Sequence, residues 1–183
     1  MKLSTRDLII TSLFTALTAI GAFISIPIGP VPITLQSLFV ILSGLILGSK
    51  LGMLSQIAYV LLGLVGLPVF SGGSGGLGSI FHPTFGFLIG FIIAAYIVGK
   101  ITEKNKSIIA IALAVILGSI IIYVVGVPYF YLIFTNYMGK DINFYGALKY
   151  SCIPFIPGDI IKASIAVVLG KQLLTRLSKV VNF

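Results

Sequence analysis

The sequence predicts an all-α integral membrane protein: a bundle of six transmembrane helices with an additional interfacial or re-entrant helical segment between helices 5 and 6. Three observations carry this. Hydrophobic residues make up 58% of the 183 positions and charged residues only 9%, where a soluble domain carries about 25% charged. Mean hydropathy is +1.18, and the apolar residues gather in runs suited to a hydrocarbon core about 30 Å thick. The Lys and Arg residues stand singly at the ends of those runs, where they orient a membrane protein.

The elements follow from the runs and their punctuation. Helix 1 is expected over about 7–26. Lys2 and Arg6 before an apolar run have the look of a signal-peptide n-region, but the run is too long and lacks an A-x-A site, so it reads as a membrane helix. It stops at the Pro-rich stretch 27–32. Helices 2 (34–48) and 3 (51–65) are short and joined only by Ser49 and Lys50, which suggests a tight hairpin that does not span fully. A Gly-rich loop, 68–79, precedes helix 4 (83–99), and helix 5 takes 107–126. The aromatic segment 127–137 reads as the interfacial or re-entrant piece, followed by a polar stretch through Lys149. Helix 6 covers 156–174; Pro154 and Pro157 suit its entry, where a missing amide hydrogen costs nothing. All of 1–183 forms a single membrane domain.

Charge sets the orientation. With the N-terminus inside, the cytoplasmic side holds Lys2, Arg6, Lys50, Lys100, Lys104, Lys106, Lys171, Arg176 and Lys179, and the outer side Lys140 and Lys149. Both termini are then cytoplasmic in a multi-pass protein of the cell membrane. The Pro-rich loop, the Gly-rich loop and the start of helix 6 fall together at the outer face.

That start carries Asp159 and Lys162, the most telling residues of the chain. Of four carboxylates (Asp7, Glu103, Asp141, Asp159), Asp159 alone sits inside a run fit for lipid. A carboxylate in mid-membrane costs about 2.5–3.5 kcal/mol on insertion scales. Three residues apart on a helix means one face, so an acceptor and a cation can meet a polar guest together. The competing reading is a self-neutralising ion pair, with the carboxylate favoured in a first turn. On the same face Ala163, Ala166 and Gly170 offer a small-residue floor to a pocket, or a seam for helix packing.

Other chemistries are excluded or weakened. The formal charge of +8 is scattered and makes no phosphate-binding stripe, so nucleic acid is not a partner. Gly73-Ser-Gly-Gly-Leu-Gly78 matches G-x-G-x-x-G without the strand or the acidic residue that a dinucleotide site needs. No ATPase motif is present, so ATP dependence must come from a partner. Cys152 is the sole cysteine and His82 the sole histidine, which leaves no disulfide and no metal cluster, and no cofactor is expected. No nucleophile–base set can be assembled, so the chain is not read as an enzyme. The glycines of 68–79 are either turn-formers or an anion-binding nest of backbone amides, with Ser71, Ser74 and Ser79 as added donors.

Several blocks in this order, Pro30-Val-Pro-Ile-Thr-Leu-Gln-Ser37, Gly63 to Phe70, Gly72 to Gly76, Pro83-Thr84 with Gly86, and Pro154 to Lys162, resemble the BioY family over about residues 5–175. These are the biotin-binding S components of prokaryotic energy-coupling-factor (ECF) vitamin transporters. One departure is Phe85-Gly-Phe87 where the family commonly shows Gly-Gly-Tyr. The resemblance implies a six-helix bundle with its vitamin site near the outside, high-affinity biotin binding, and uptake driven by partners: a transmembrane scaffold subunit and ATP-binding cassette ATPases. Biotin's ureido ring has two N–H donors and a carbonyl, which Asp159 and Lys162 can match. Its bicycle and valeryl chain suit Val31, Ile33, Leu77 and Phe85. Its carboxylate would find donors in the 72–79 backbone, including Gly75, and in Ser74 and Ser79, with Thr34, Gln36 and Tyr59 as lesser candidates.

Helix 1 offers a docking face for the scaffold. Thr11, Thr15 and Ala19 recur four apart, and Ala16 and Ala22 widen the small-residue face; packing within the bundle is the competing reading. Two functional alternatives stay open: an S component for another vitamin or small heterocyclic nutrient, and a small channel or membrane assembly protein.

Overall fold

The computed structural model describes residues 3–27 and 30–180; Lys2 of the charge asymmetry and positions 28–29 of the Pro-rich stretch lie outside them. The first helix, α1 (Thr5–Phe23), opens with a capping box. Ser4 Oγ accepts from the Asp7 amide at 3.1 Å and Asp7 Oδ2 from the Ser4 amide at 3.0 Å, so amides with no helical partner are satisfied. It ends earlier than expected because the following chain pairs instead of coiling. Strands β1 (Ser25–Ile26) and β2 (Ile33–Thr34) run antiparallel, with Ser25 opposite Thr34 and Ile26 opposite Ile33.

The next helix, α2 (Gln36–Leu64), is two arms in space. At Gly48 the backbone turns to φ +80°, a conformation that glycine reaches at little steric cost. The arms then fold back on each other. A Cβ placed on Gly52 would lie 3.0 Å from Gly44 Cα, and Gln56 Nε2 reaches Ser43 Oγ at 3.2 Å. In a straight helix those two residues would stand about 20 Å apart along the axis. Glu103 holds the bend: its Oε1 accepts from Ser49 N at 2.7 Å and Ser49 Oγ at 2.8 Å, supplying an acceptor where the second arm begins.

A 3-10 turn (Leu77–Phe81) leads to α3 (Phe85–Lys104) and α4 (Ile108–Leu132). These two pack antiparallel at close range through glycines. A Cβ on Gly90 would meet Ile122 Cα at 3.0 Å, and one on Gly126 would meet the Phe87 ring at 2.4 Å, the small-residue contact typical of membrane helices.

Past residue 126 the structure corrects the sequence reading. The aromatic segment 127–137 is not a separate re-entrant helix; it continues α4 through Pro128 and one π turn, Ile133–Tyr137. Proline withholds an amide donor, and local widening of a helix can accommodate that without ending it. Aromatic anchoring fixes the extension, since Phe130 is fully buried and stacks on Phe134 at 4.8 Å. The additional helical piece lies later. It is α5 (Phe144–Ser151), N-capped by Asn143, whose Oδ1 accepts from Gly146 N at 2.8 Å. A short 3-10 turn (Ile153–Phe155) then enters α6 (Ile156–Val180).

Among the described residues the regular structure is helical apart from one small hairpin and an isolated bridge between Phe70 and Ser74, and five helical stretches have the length and hydropathy to cross a membrane. Its interior divides into two clusters. One gathers Tyr59, Phe70, Phe87, Phe91, Phe130 and Phe155; the other gathers Leu38, Leu45, Val98, Ile111, Val115 and Ala166. The aromatic cluster surrounds the cavity described next. The aliphatic one is closed packing, and it absorbs the small residues of α6: Ala166 is fully buried, and a Cβ on Gly170 would strike Leu45 at 2.7 Å. Ala163, Ala166 and Gly170 are therefore a helix-packing seam and not a pocket floor.

On α1 the line read as a docking face is partly turned inward. Thr15 Oγ1 donates to Ser55 O at 2.9 Å, Thr11 and Ala22 are buried, and Ala19 packs against the aromatic cluster. A threonine in apolar surroundings seeks an acceptor, which the second arm of α2 provides. Ala16 remains exposed.

Candidate functional site

The starts of α2, α3 and α6, the later part of α4, and the loop between α2 and α3 converge at one end of the bundle. Between them lies a cavity walled by Val31, Phe70, Phe85, Phe87, Phe91 and Phe155, with Leu88 and Ile122 below. The centres of water-sized spheres have about 100 Å3 of space there, several times the ~10–15 Å3 that one water needs. An apolar chamber of this kind, with a few polar groups aimed into it, is the ordinary form of a small-molecule site.

Asp159 and Lys162 face this chamber from the first turns of α6. Lys162 Nζ lies 2.6 Å from Asp159 Oδ1, and the side chains are only 11% and 19% exposed respectively. The same ammonium donates to Ser37 Oγ at 2.8 Å and to the Thr34 carbonyl at 3.1 Å. All three of its N–H donors are therefore engaged. Asp159 Oδ2 accepts from the Tyr123 hydroxyl on α4. Isolated buried charges are costly, and a paired and hydrogen-bonded set of this kind is how they are tolerated.

A second string of hydrogen bonds continues from Thr34. Its Oγ1 donates to Gln36 Oε1 at 3.1 Å, Gln36 Nε2 donates to Tyr59 OH at 2.6 Å, and Tyr59 OH donates to Val69 O at 3.0 Å. Thr34 and Gln36 line the cavity; Tyr59 is fully buried behind them and outside its wall. Tyr59 thus ties α2 to the loop that roofs the chamber.

That loop brings Ser74 and Ser79 to the wall, with Ser71, His82 and Thr84. Its glycines act chiefly as turn-formers: Gly66, Gly72, Gly73 and Gly76 all have positive φ. The amides of Gly73, Gly76 and Ser79 are spent on Phe70, Gly63 and Gly76 carbonyls, so they do not form an anion nest. Gly75 packs against the 63–67 turn, where a Cβ would sit 2.3 Å from Leu67 O, and it is not in the wall. Leu77 is 70% exposed and is not part of the cavity wall, and neither is Ile33. The Phe85 ring does line the cavity. His82 Nδ1 sits 2.7 Å from Thr84 Oγ1, and desolvation lowers its pKa from the ordinary histidine value.

The model of the BioY family matches residues 1–179. The chain belongs to the BioY family. The biotin transporter BioY of Thermotoga maritima is 43% identical over 168 residues, covering 92% of this chain and 95% of that one. The probable biotin transporter BioY of Pyrococcus horikoshii is 40% identical, with coverage of 92% and 96%. A 2.1 Å crystal structure of the S-component for biotin from an ECF-type ABC transporter superposes with a TM-score of 0.83 at 32% identity, covering 95% of each chain.

In this BioY chain the wall also contains residues that the sequence reading missed. Ser37, Ser119, Tyr123 and Ser151 line the cavity. The available signal was on α4, whose most apolar window has a mean hydropathy of 3.0. Ser119 and Tyr123 interrupt it four residues apart, the spacing of one helical face.

Proposed function

We propose that this chain is the high-affinity biotin-binding membrane subunit of a vitamin uptake system. It is a transport subunit and not an enzyme, and its transport is driven by a separate module of a transmembrane scaffold and ATP-binding cassette ATPases. The observation that carries this reading is the pairing of Asp159 and Lys162 at 2.6 Å in the wall of an otherwise apolar chamber. A cyclic urea presents donors and an acceptor side by side, and an anionic acceptor next to a cationic donor complements it. Charge-assisted hydrogen bonds of this kind are roughly twice as strong as neutral ones. The thiophane ring and valeryl chain would lie against Val31, Phe85, Phe87 and Phe91. The carboxylate would reach the mouth, where Ser74 and Ser79 supply hydroxyls.

We also read the two arms of α2 as separate crossings, which makes six with α1, α3, α4 and α6. Gly48 at φ +80° and the contact between Gly44 and Gly52 support this. Both termini are then cytoplasmic, the chamber opens to the outside, and α5 lies at the outer interface; the Lys and Arg distribution supports that orientation. Ala16, exposed on α1, belongs to the surface that meets the scaffold.

The test is reconstitution. Proteoliposomes holding this protein and an energy-coupling module should accumulate labelled biotin when ATP is supplied to the module's side. Omission of either component should stop accumulation. Accumulation of another vitamin in place of biotin would reject the substrate assignment.

A further inference from the structure

Tyr123 stands on α4, the most apolar helix of the chain, and its hydroxyl is given to a carboxylate 36 residues away. Its ring is fixed from the side by Phe87, at a centroid distance of 6.1 Å and an interplanar angle of 89°. Phe87 is itself held over Gly126, where any Cβ would collide with the ring. The phenol therefore has a defined place, set by α3 and α4, before it meets α6.

The hydrogen-bond inventory of the pair then decides which partner is open to a ligand. Lys162 has three donors, already given to Asp159 Oδ1, Thr34 O and Ser37 Oγ. Asp159 has about four acceptor sites on its two oxygens, of which Lys162 takes one on Oδ1 and Tyr123 one on Oδ2. The carboxylate is thus gripped on each oxygen from a different helix, while each oxygen keeps a free lone pair. One grip alone would leave it able to rotate about its Cβ–Cγ bond; two grips fix its plane.

We infer that Tyr123 is a positioning residue for ligand recognition: its hydroxyl locks the plane of the Asp159 carboxylate so that the free lone pairs face the N–H groups of a cyclic urea. This rests on the biotin-binding reading above and adds a residue to it. Recognition is then built by three helices: α6 supplies the acceptor, α4 orients it, and α3 seats the orienting ring.

The experiment is a double-mutant cycle on purified full-length protein, read by equilibrium titration with biotin and by thermal unfolding without ligand. Tyr123→Phe preserves the ring and its packing and removes only the hydroxyl. It should weaken biotin binding roughly ten- to a hundredfold, the range expected for loss of a hydrogen bond to a charged group. In an Asp159→Asn background the same change should cost less than about twofold, because interacting residues are non-additive. Unliganded melting temperatures of Tyr123→Phe and wild type should agree within a few degrees. Equal losses in both backgrounds, or unchanged affinity in Tyr123→Phe, would overturn the inference while leaving the biotin site standing. A fall in affinity matched by a large fall in melting temperature would assign Tyr123 to packing and overturn it also. Wild-type protein that does not bind biotin at all would reject the functional reading itself, and the inference with it.

Discussion

Lys162 on α6 donates to the backbone carbonyl of Thr34 at 3.1 Å, across 128 residues of sequence. This one bond ties the charged pair in the chamber wall to the end of the β hairpin. A ligand carbonyl that approaches Lys162 finds no vacant donor; it must displace Thr34 O or Ser37 Oγ. On the proposed function, ligand binding at this site is an exchange of partners in which either the small hairpin or Ser37 gives up its bond to Lys162.

The exchange predicts an unusual direction for one mutant. Ser37→Ala removes an acceptor from Lys162 and leaves a donor open for the ligand. Biotin affinity should rise at least about two- to fivefold, since a hydrogen bond to a charged group is worth more than the ~1 kcal/mol of a neutral one. Titration of the purified variant checks this, and weaker binding would show that Ser37 itself serves the ligand.

Gly48 and Glu103 should matter for stability and not for affinity. Gly48→Ala puts a Cβ at φ +80° and ψ −179°, 2.8 Å from Glu103 Oε1, and should cost about 1–3 kcal/mol from a backbone region that is essentially glycine's alone. Glu103→Ala removes the acceptor at Ser49 and should cost about 0.5–2 kcal/mol, as the loss of a helix cap does. Thermal unfolding should fall for both, while the biotin dissociation constant stays within about twofold for distant, independent sites.

Substitutions on the two faces of α1 should separate packing from the proposed docking. Ala16→Trp enlarges an exposed position and should abolish co-purification with the scaffold subunit, leaving biotin binding in place. Thr15→Val breaks the 2.9 Å bond to Ser55 O and should lower the melting temperature with co-purification retained; membrane helix–helix hydrogen bonds average about 0.6 kcal/mol. Normal co-purification of Ala16→Trp would move the docking surface elsewhere.

Ser74 is exposed at the mouth of the chamber. In a Cys152→Ser background, Ser74→Cys should react with a membrane-impermeant thiol reagent added from outside, and saturating biotin should slow that reaction. Reaction only from the cytoplasmic side would reverse the orientation. Reaction indifferent to biotin would remove this loop from the site.

Much of this could be read along the chain, and what could not has a physical cause. The class, the order of helices and the prominence of Asp159 and Lys162 follow from where apolar runs begin and where charge interrupts them. The hairpin of α2 was visible because a two-residue link between short runs leaves no other geometry. The fate of 127–137 was not, because a proline in a membrane helix ends it or merely bends it depending on what packs against it, here Tyr129 on the Ile80 carbonyl and Phe130 in the core. The inward turn of Thr15 was equally hidden: four-residue spacing defines a face but does not say which way it looks. Tyr123 was missed because its partner lies on another helix, and no local pattern announces such a contact.

The most direct test of the account is a titration of purified, ligand-free protein with biotin, wild type beside Asp159→Asn. The wild type should show one saturable site per chain. The substitution should weaken it about ten- to a hundredfold, through loss of a charge-assisted acceptor, while the variant stays folded and monodisperse. An Asp159→Asn protein that melts far below wild type yet binds biotin as tightly would contradict it, and would reduce the pair to a structural ion bridge.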